Sequence, residues 1–348
     1  MRFFTMCGGF GLADIGIARA GGVCIGSIEY DPQLAAVYAQ NHGAHVTVAD
    51  IRQVDWHALP VPEYIHASPP CPSFSQINPN RAETDADLAI ADAISAAVRL
   101  WLPRLMTIEN VAGYQKSESL RRIMQVFGEL DYAVEIRVVD AADYGVPQNR
   151  HRLIIVARSG GWMQPGLNWG VPVPHVGWHA TIADLLPDLP TATLPPWQFR
   201  RLPETLRTSM LLGQQAYNDA LVMLPPNRPA MMITANPNQT TMRAILQEDP
   251  PTFLIDGKLS NHGKYLTLRS VHQPSSTVVT SMPIANDMRI INVGRVFRIT
   301  PRCLARWQSV PDTFILPNNA RLAVKGIGNG YPSLLAQRIY EMGYNAVR

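Results

Sequence analysis

The first half of this 348-residue chain predicts an α/β fold built on a doubly wound, mostly parallel sheet. Short apolar runs alternate with stretches of helical periodicity, which is the pattern of βαβ units and of parallel strands joined by crossover helices. Several apolar runs end in Gly-rich or Pro-rich turns, as strands do where they feed a loop. From about residue 160 to 266 the alternation gives way to Pro-rich, polar segments such as Pro172-Val173-Pro174 and Leu194-Pro195-Pro196-Trp197, which cannot continue a parallel sheet.

In chain order, Phe3-Phe4 marks the first strand and 13–19 the first helix; 23–28 and 32–40 form the next pair, and 46–48 and 64–67 are two further strands. A helix is expected from about 85 to 102. Ile90, Ile94, Val98 and Trp101 fall on one face of it, and Thr84 with Asp87 three residues on makes a capping box at its start. A strand at 105–108, a helix near 117–130 and strands at 133–139 and 153–157 complete the series.

Composition fits a globular protein, with 47% hydrophobic residues and length enough for one large domain plus a smaller one. No stretch approaches ~20 uninterrupted apolar residues, and no basic segment followed by an apolar run opens the chain, so the expectation is a cytoplasmic protein with no membrane partner. Cys7, Cys24, Cys71 and Cys303 have neither metal-ligand spacing nor the density of a disulfide framework; no metal is expected, and free thiols fit a reducing compartment. The net charge of +3 identifies no partner by itself. Only four of the 30 basic residues are lysine, however, and arginine's planar fork suits phosphate and guanine edges, although a GC-rich genome would also favour arginine.

Chemistry-bearing residues stand at successive strand ends. In Ser68-Pro69-Pro70-Cys71-Pro72 the prolines hold a thiol in one extended geometry. On this loop alone Cys71 is either a nucleophile or a small buried hydrophobe. Ile108-Glu109-Asn110-Val111 puts a carboxylate at the next strand end, where it could instead cap a helix. Gln148-Asn149-Arg150-His151-Arg152 follows, a paired-arginine segment that could also be a solvated edge.

Taken in order, with Phe4-Thr5-Met6-Cys7-Gly8-Gly9, Thr300-Pro301-Arg302 and Gly328-Asn329-Gly330, these segments resemble the DNA (cytosine-5) methyltransferase family over roughly residues 1–158 and 268–348. The resemblance implies a fold of the S-adenosylmethionine-dependent methyltransferase type with a smaller, irregular target-recognition domain. It divides the chain into a catalytic domain (1–165), a recognition region (166–266) and a joining segment with a C-terminal helix that returns to the catalytic domain (267–348). It also implies methyl transfer from S-adenosylmethionine to C5 of a flipped-out cytosine in duplex DNA through a Cys71–C6 adduct. Cys71 would act as a thiolate activated by nearby positive charge. Glu109, with its pKa raised by desolvation, would supply the proton at N3, and Arg152 would hold the cytosine carbonyl and orient Glu109.

For the cofactor, the resemblance implies Phe4 stacked on adenine, Glu29 on the ribose and Asp50 on the exocyclic amine, with Cys7, Gly8, Gly9, Tyr30, Ile51, Pro70 and Asn329 around them. The residues agree in part: a Gly-rich strand-to-helix turn lets backbone approach a ligand, and Glu29 lies about 20 residues on, where a carboxylate can accept from ribose hydroxyls. A dinucleotide G-x-G-x-x-G motif fails because Asp14 occupies its last position. Ser75, Gln148, Arg150, Asn238, Arg243 and Arg302 are the expected DNA contacts. The chain departs from the family pattern at Arg2, Met6, Pro72, Cys303 and Tyr331, the last replacing a small aliphatic residue beside the cofactor. A monomer is expected, and a cognate restriction endonuclease would be its partner in a restriction-modification pair. Two alternatives stay open. One is a tRNA cytosine methyltransferase, disfavoured by about a hundred unmatched residues in the middle of the chain; the other is a non-catalytic DNA-binding and S-adenosylmethionine-binding subunit, disfavoured by the intact Cys71, Glu109 and Arg152.

Overall fold

The structure, a computed structural model, describes residues 1–71, 73–74, 82–161, 164–192, 200, 253–260, 263–275, 277, 288–292 and 295–348; side chains are not described at 253–267, 288, 289, 291, 292 and 295. The chain divides into two compact units, one of residues 1–176, 276–281 and 304–348 and the other of 177–275 and 282–303.

The first unit holds a seven-stranded sheet of β1 (Arg2–Met6), β2 (Val23–Glu29), β3 (Val46–Val48), β4 (Tyr64–Ala67), β5 (Leu105–Asn110), β6 (Ala133–Asp140) and β7 (His151–Arg158). Their order is β3-β2-β1-β4-β5-β7-β6. The pairs β1–β2, β2–β3, β1–β4 and β4–β5 are parallel, whereas β7 runs antiparallel to both β5 and β6. The chain first winds outward from β1 to β3 and then returns to the other side of β1, so the strand order reverses between β1 and β4. In an open α/β sheet, that is where a crevice opens at the carboxyl ends of the strands.

Helices α1 (Leu12–Arg19), α2 (Pro32–His42), α3 (Asp85–Trp101) and α4 (Glu118–Glu129) connect the strands. Thr84 and Asp87 form the capping box at the start of α3, and the buried Ala91, Ile94, Val98 and Trp101 make its core face. Strand alternation then sorts the core. Phe4 and Met6 of β1 join the cluster that includes Ile65, Trp101, Met106 and Phe127, while Phe3 joins Ile17, Tyr64, Leu335 and Tyr340 on the other face. Leu335 and Tyr340 belong to α7 (Ser333–Val347), which follows α5 (Pro301–Trp307) and α6 (Ala320–Asn329). At Gly16 of α1, a Cβ would stand 1.9 Å from the Ser333 carbonyl oxygen, so backbone contact between α1 and α7 requires a residue without one.

The second unit contains an antiparallel sheet in the order β11-β10-β8-β9, formed by β8 (Phe253–Ser260), β9 (Gly263–Ser270), β10 (Met288–Asn292) and β11 (Arg295–Arg298). The sequence reading placed no strand between about residues 160 and 266; β8 and most of β9 correct it. The alternation Lys264-Tyr265-Leu266-Thr267-Leu268-Arg269 carried that signal. Trp178 is fully buried in this unit, where its indole N–H donates to the Ser270 carbonyl at 2.7 Å. No helix among the described residues is long and apolar enough to cross a membrane.

Candidate active site

Cys71 lies four residues beyond the end of β4, and the loop that carries it is fixed from several sides. Asn110, the last residue of the adjacent β5, donates from Nδ2 to the Pro69 carbonyl at 3.1 Å and accepts from the Val111 N–H at 2.8 Å. The His66 ring is hydrogen-bonded to Thr107 and Ser68, each at 3.0 Å, and burial pushes this imidazole down to about 3, so it is neutral. Beyond the thiol, the Phe74 N–H donates to the Cys71 carbonyl at 3.1 Å, and the Ser73 hydroxyl donates to Asp87 at 2.8 Å. Asn110 is a positioning residue to which the sequence reading gave no role. Its place beside Glu109 at a strand end was the available signal.

Glu109 meets Arg152 because β7 is reversed. A parallel strand would bring its carboxyl end to this rim, but an antiparallel one brings its start. Glu109 pairs with Ile154, and Arg152, two residues before Ile154 and on the same face, is its diagonal neighbour. Arg152 Nε donates to Glu109 Oε1 at 2.8 Å, with side chains only 13% and 7% exposed. Arg150 is fully buried, and its guanidinium donates to the carbonyls of Gly328 and Gly330, both at 2.9 Å, tying the β6–β7 turn to the end of α6.

These groups face one cavity of about 430 Å³, within the usual range of small-molecule sites. Cys71, Glu109, Asn110, Arg150, Arg152, His66 and Tyr331 line one part of it. Thr5, Cys7, Gly8, Gly9, Glu29, Tyr30, Asp50, Ile51 and Arg52 line another, and Pro70, Asn329, Ala86 and Ile90 complete the walls. Gly9 has φ +56° with open space where a Cβ would project, and its N–H donates to Glu29 at 2.7 Å; the other Glu29 oxygen accepts from the Asp31 N–H at 2.9 Å. Two fixed carboxylates, an exposed aromatic ring at Tyr30 and a backbone cradle without side chains fit an adenosine bearing hydroxyl and amino donors. Tyr331 stacks on His66, with ring centres 5.4 Å apart.

Several expectations need correction. Phe4 is 1% exposed and lies outside the cavity, because alternation along β1 turns it, like Met6, toward Trp56 and Trp101; Thr5 is the strand residue that lines the cavity. The Met6 departure therefore falls in the core and leaves the cavity wall unchanged. Gln148 is wholly buried, neither of its amide atoms is hydrogen-bonded, and it is not among the residues that line the cavity. Nor is Cys71 a ready thiolate: burial, and then the Glu109 carboxylate, push its thiol up, outweighing the opposite pull of Arg152 and Arg150. Cys7 is pushed up to about 12, by burial first and by Glu29 and Asp50 after it. Arg302 is half-buried on α5, and Arg150 lines the cavity with one guanidinium nitrogen donating to two backbone carbonyls. Ser75, Asn238 and Arg243 lie outside the described residues, as does Pro72.

A model of the C-5 cytosine-specific DNA methylase family matches residues 1–343. The chain belongs to this family. Among curated relatives, the Type II methyltransferase M1.HphI of Haemophilus parahaemolyticus is 26% identical over an alignment that takes in 97% of this chain and 84% of that protein. The Type II methyltransferase M.FnuDI of Fusobacterium nucleatum is 31% identical over 159 residues, a match that spans 45% of this chain and only 46% of that protein. Among solved structures, the Dnmt2 methyltransferase of S. pombe superposes with a TM-score of 0.59 at 14% identity over 99% of this chain and 98% of that one. At that identity the likeness is one of fold.

Proposed function

We propose that this protein transfers a methyl group from S-adenosylmethionine to C5 of a cytosine in duplex DNA, using Cys71 as nucleophile. The observation that carries the proposal is the Glu109–Arg152 pair at 2.8 Å beside the Cys71 loop, on the wall of a cavity whose other part is lined by Glu29, Asp50 and the Gly8–Gly9 turn. Cytosine C5 is a poor nucleophile until a thiolate adds to C6. Cys71 Sγ would form that bond while N3 takes a proton held with Glu109, leaving the ring electron-rich at C5. Arg152 keeps Glu109 turned to the base. S-adenosylmethionine, bound against Glu29, Asp50 and the Gly8–Gly9 turn, would supply an electrophilic methyl group. Loss of the C5 proton to solvent would then expel the thiolate as N3 gives up its proton, and reprotonation of Cys71 would return the enzyme to its starting form.

The raised Cys71 thiol gives this sequence an order. When a proton from solvent is shared between Glu109 and N3 of the bound base, the carboxylate charge that opposed ionisation is offset, and the thiol can release its own proton while Arg150 and Arg152 still favour the thiolate. Entry of the base thus activates the nucleophile, and the empty site keeps its thiol protonated. None of the target atoms is reachable inside a duplex, so the base must leave the stack. The region 166–266 is assigned the recognition of the DNA sequence. Membership of a restriction-modification pair fits the Type II naming of the relatives.

The test is covalent trapping on duplex DNA carrying 5-fluorocytosine, from which the C5 substituent cannot leave as a proton. A complex that survives denaturation, needs S-adenosylmethionine and disappears in Cys71→Ser is the expected result. Trapping that persists in Cys71→Ser would assign the nucleophile elsewhere. Trapping on tRNA and not on DNA would change the substrate class.

A further inference from the structure

One contact in the cavity has no part in the role assigned to its neighbours. Asp50 follows β3, where its carboxylate is expected to meet the amino group at position 6 of the purine. Both of its oxygens are already engaged. Arg52 Nε lies 2.9 Å from Oδ1 and 3.1 Å from Oδ2, and a terminal guanidinium nitrogen lies 2.5 Å from Oδ2. Oδ1 also accepts from the Arg52 backbone N–H at 3.0 Å, so the carboxylate caps the short helical turn Ile51–Gln53. Three N–H donors, the Nε–H shared between both oxygens, thus occupy most of the roughly four lone-pair sites of the carboxylate. Arg52, like Asp50, lines the cavity, and its side chain is 40% exposed against 14% for Asp50. A purine amine that reaches Asp50 must therefore share or displace a guanidinium lying on the same wall.

We propose that Arg52 sets purine specificity in this subsite: it competes with a 6-amino group for Asp50, and it offers its own N–H donors to a purine that carries a 6-oxo group instead. The inference rests on the reading of this part of the cavity as an adenosine site. An exposed ion pair is weak, so the competition lowers adenosine affinity only modestly. The backbone cap keeps Asp50 in place when the side chain of Arg52 is removed. With Arg52 gone, a 6-amino purine meets a free acceptor, whereas a 6-oxo purine sets its carbonyl oxygen against a bare carboxylate and keeps only the neighbouring N1–H as a donor. Arg52 thus makes the subsite more permissive and slightly weaker.

Calorimetric titration with S-adenosylhomocysteine and S-inosylhomocysteine separates these effects without any turnover, using wild type, Arg52→Ala and Asp50→Asn. Arg52→Ala should bind the adenosyl ligand about two- to fivefold more tightly, and the ratio of inosyl to adenosyl dissociation constants should widen by about tenfold or more. Weaker binding of the adenosyl ligand by Arg52→Ala, or an unchanged ratio, would overturn the inference while leaving the adenosine site standing. A wild-type protein that fails to bind S-adenosylhomocysteine, or an Asp50→Asn variant indifferent to the choice of purine, would remove the adenosine reading and the inference with it.

Discussion

Replacing Glu109 by glutamine should move two properties of the active site in opposite directions. The Glu109 side chain is 7% exposed and accepts from Arg152 Nε at 2.8 Å. Glutamine keeps an acceptor there, so a charge-assisted hydrogen bond becomes an ordinary one, and the fold should lose only about 1 kcal/mol. Turnover should fall far more, by about 10²–10⁴, because the amide cannot hold the proton for N3. A loss of that size corresponds to roughly 3–5 kcal/mol in the barrier, well beyond what the stability change explains. At the same time Cys71 should react faster with iodoacetamide at a fixed pH near 8, since Glu109 is among the influences that push its thiol up. Peptide mapping separates Cys71 from Cys7 and Cys24, whose thiols lie at about 12 and about 11. Turnover within tenfold of wild type would refute Glu109 as the proton holder. Slower alkylation in the variant would show that Glu109 serves as the base that ionises Cys71, the reverse of the coupling described above.

Three further outcomes are expected. Asp14 is buried against Tyr38 and Thr5 and lifted from 3.8 to about 6, by burial above all, so the stability contributed by its neutral form is complete below about pH 4 and lost as pH rises through about 6. Asp14→Asn should therefore be more stable than wild type at pH 7.5, by up to about 3 kcal/mol in urea unfolding, and should flatten the slope between pH 4 and 6; an unchanged slope would clear Asp14. Gly16→Ala gains about 1 kcal/mol of helix propensity, but its Cβ would lie 1.9 Å from the Ser333 carbonyl oxygen. The clash should win, with a net loss of about 1–3 kcal/mol and weaker S-adenosylhomocysteine binding because Leu12 and Ala13 of α1 line the cavity; equal or greater stability would show that α7 gives way freely. Asn110→Ala removes the bond to Pro69, and the rate of 5-fluorocytosine trapping should fall by about tenfold or more while cofactor affinity holds; parallel losses in both would point to general damage.

The sequence alone determined the α/β class, the boundaries of α3 and the placement of Cys71, Glu109 and the arginine pair at ends of strands, because these follow from periodicity, capping and turn chemistry within a few residues of each position. It could not decide which way the ring of Phe4 points, since one step of register in a strand exchanges cavity for core. It also could not show that β7 runs backwards, although that reversal brings Arg152 to Glu109, because strand direction depends on pairing with segments distant in sequence. Whether Cys71 is ionised was likewise out of reach: the arginines that favour the thiolate are visible in the sequence, but the burial and the facing carboxylate that outweigh them exist only once β4, β5 and β7 are side by side. Asp50 and Arg52 stand two residues apart in the chain, yet only their side-chain geometry shows the carboxylate already engaged on the wall where a purine would bind.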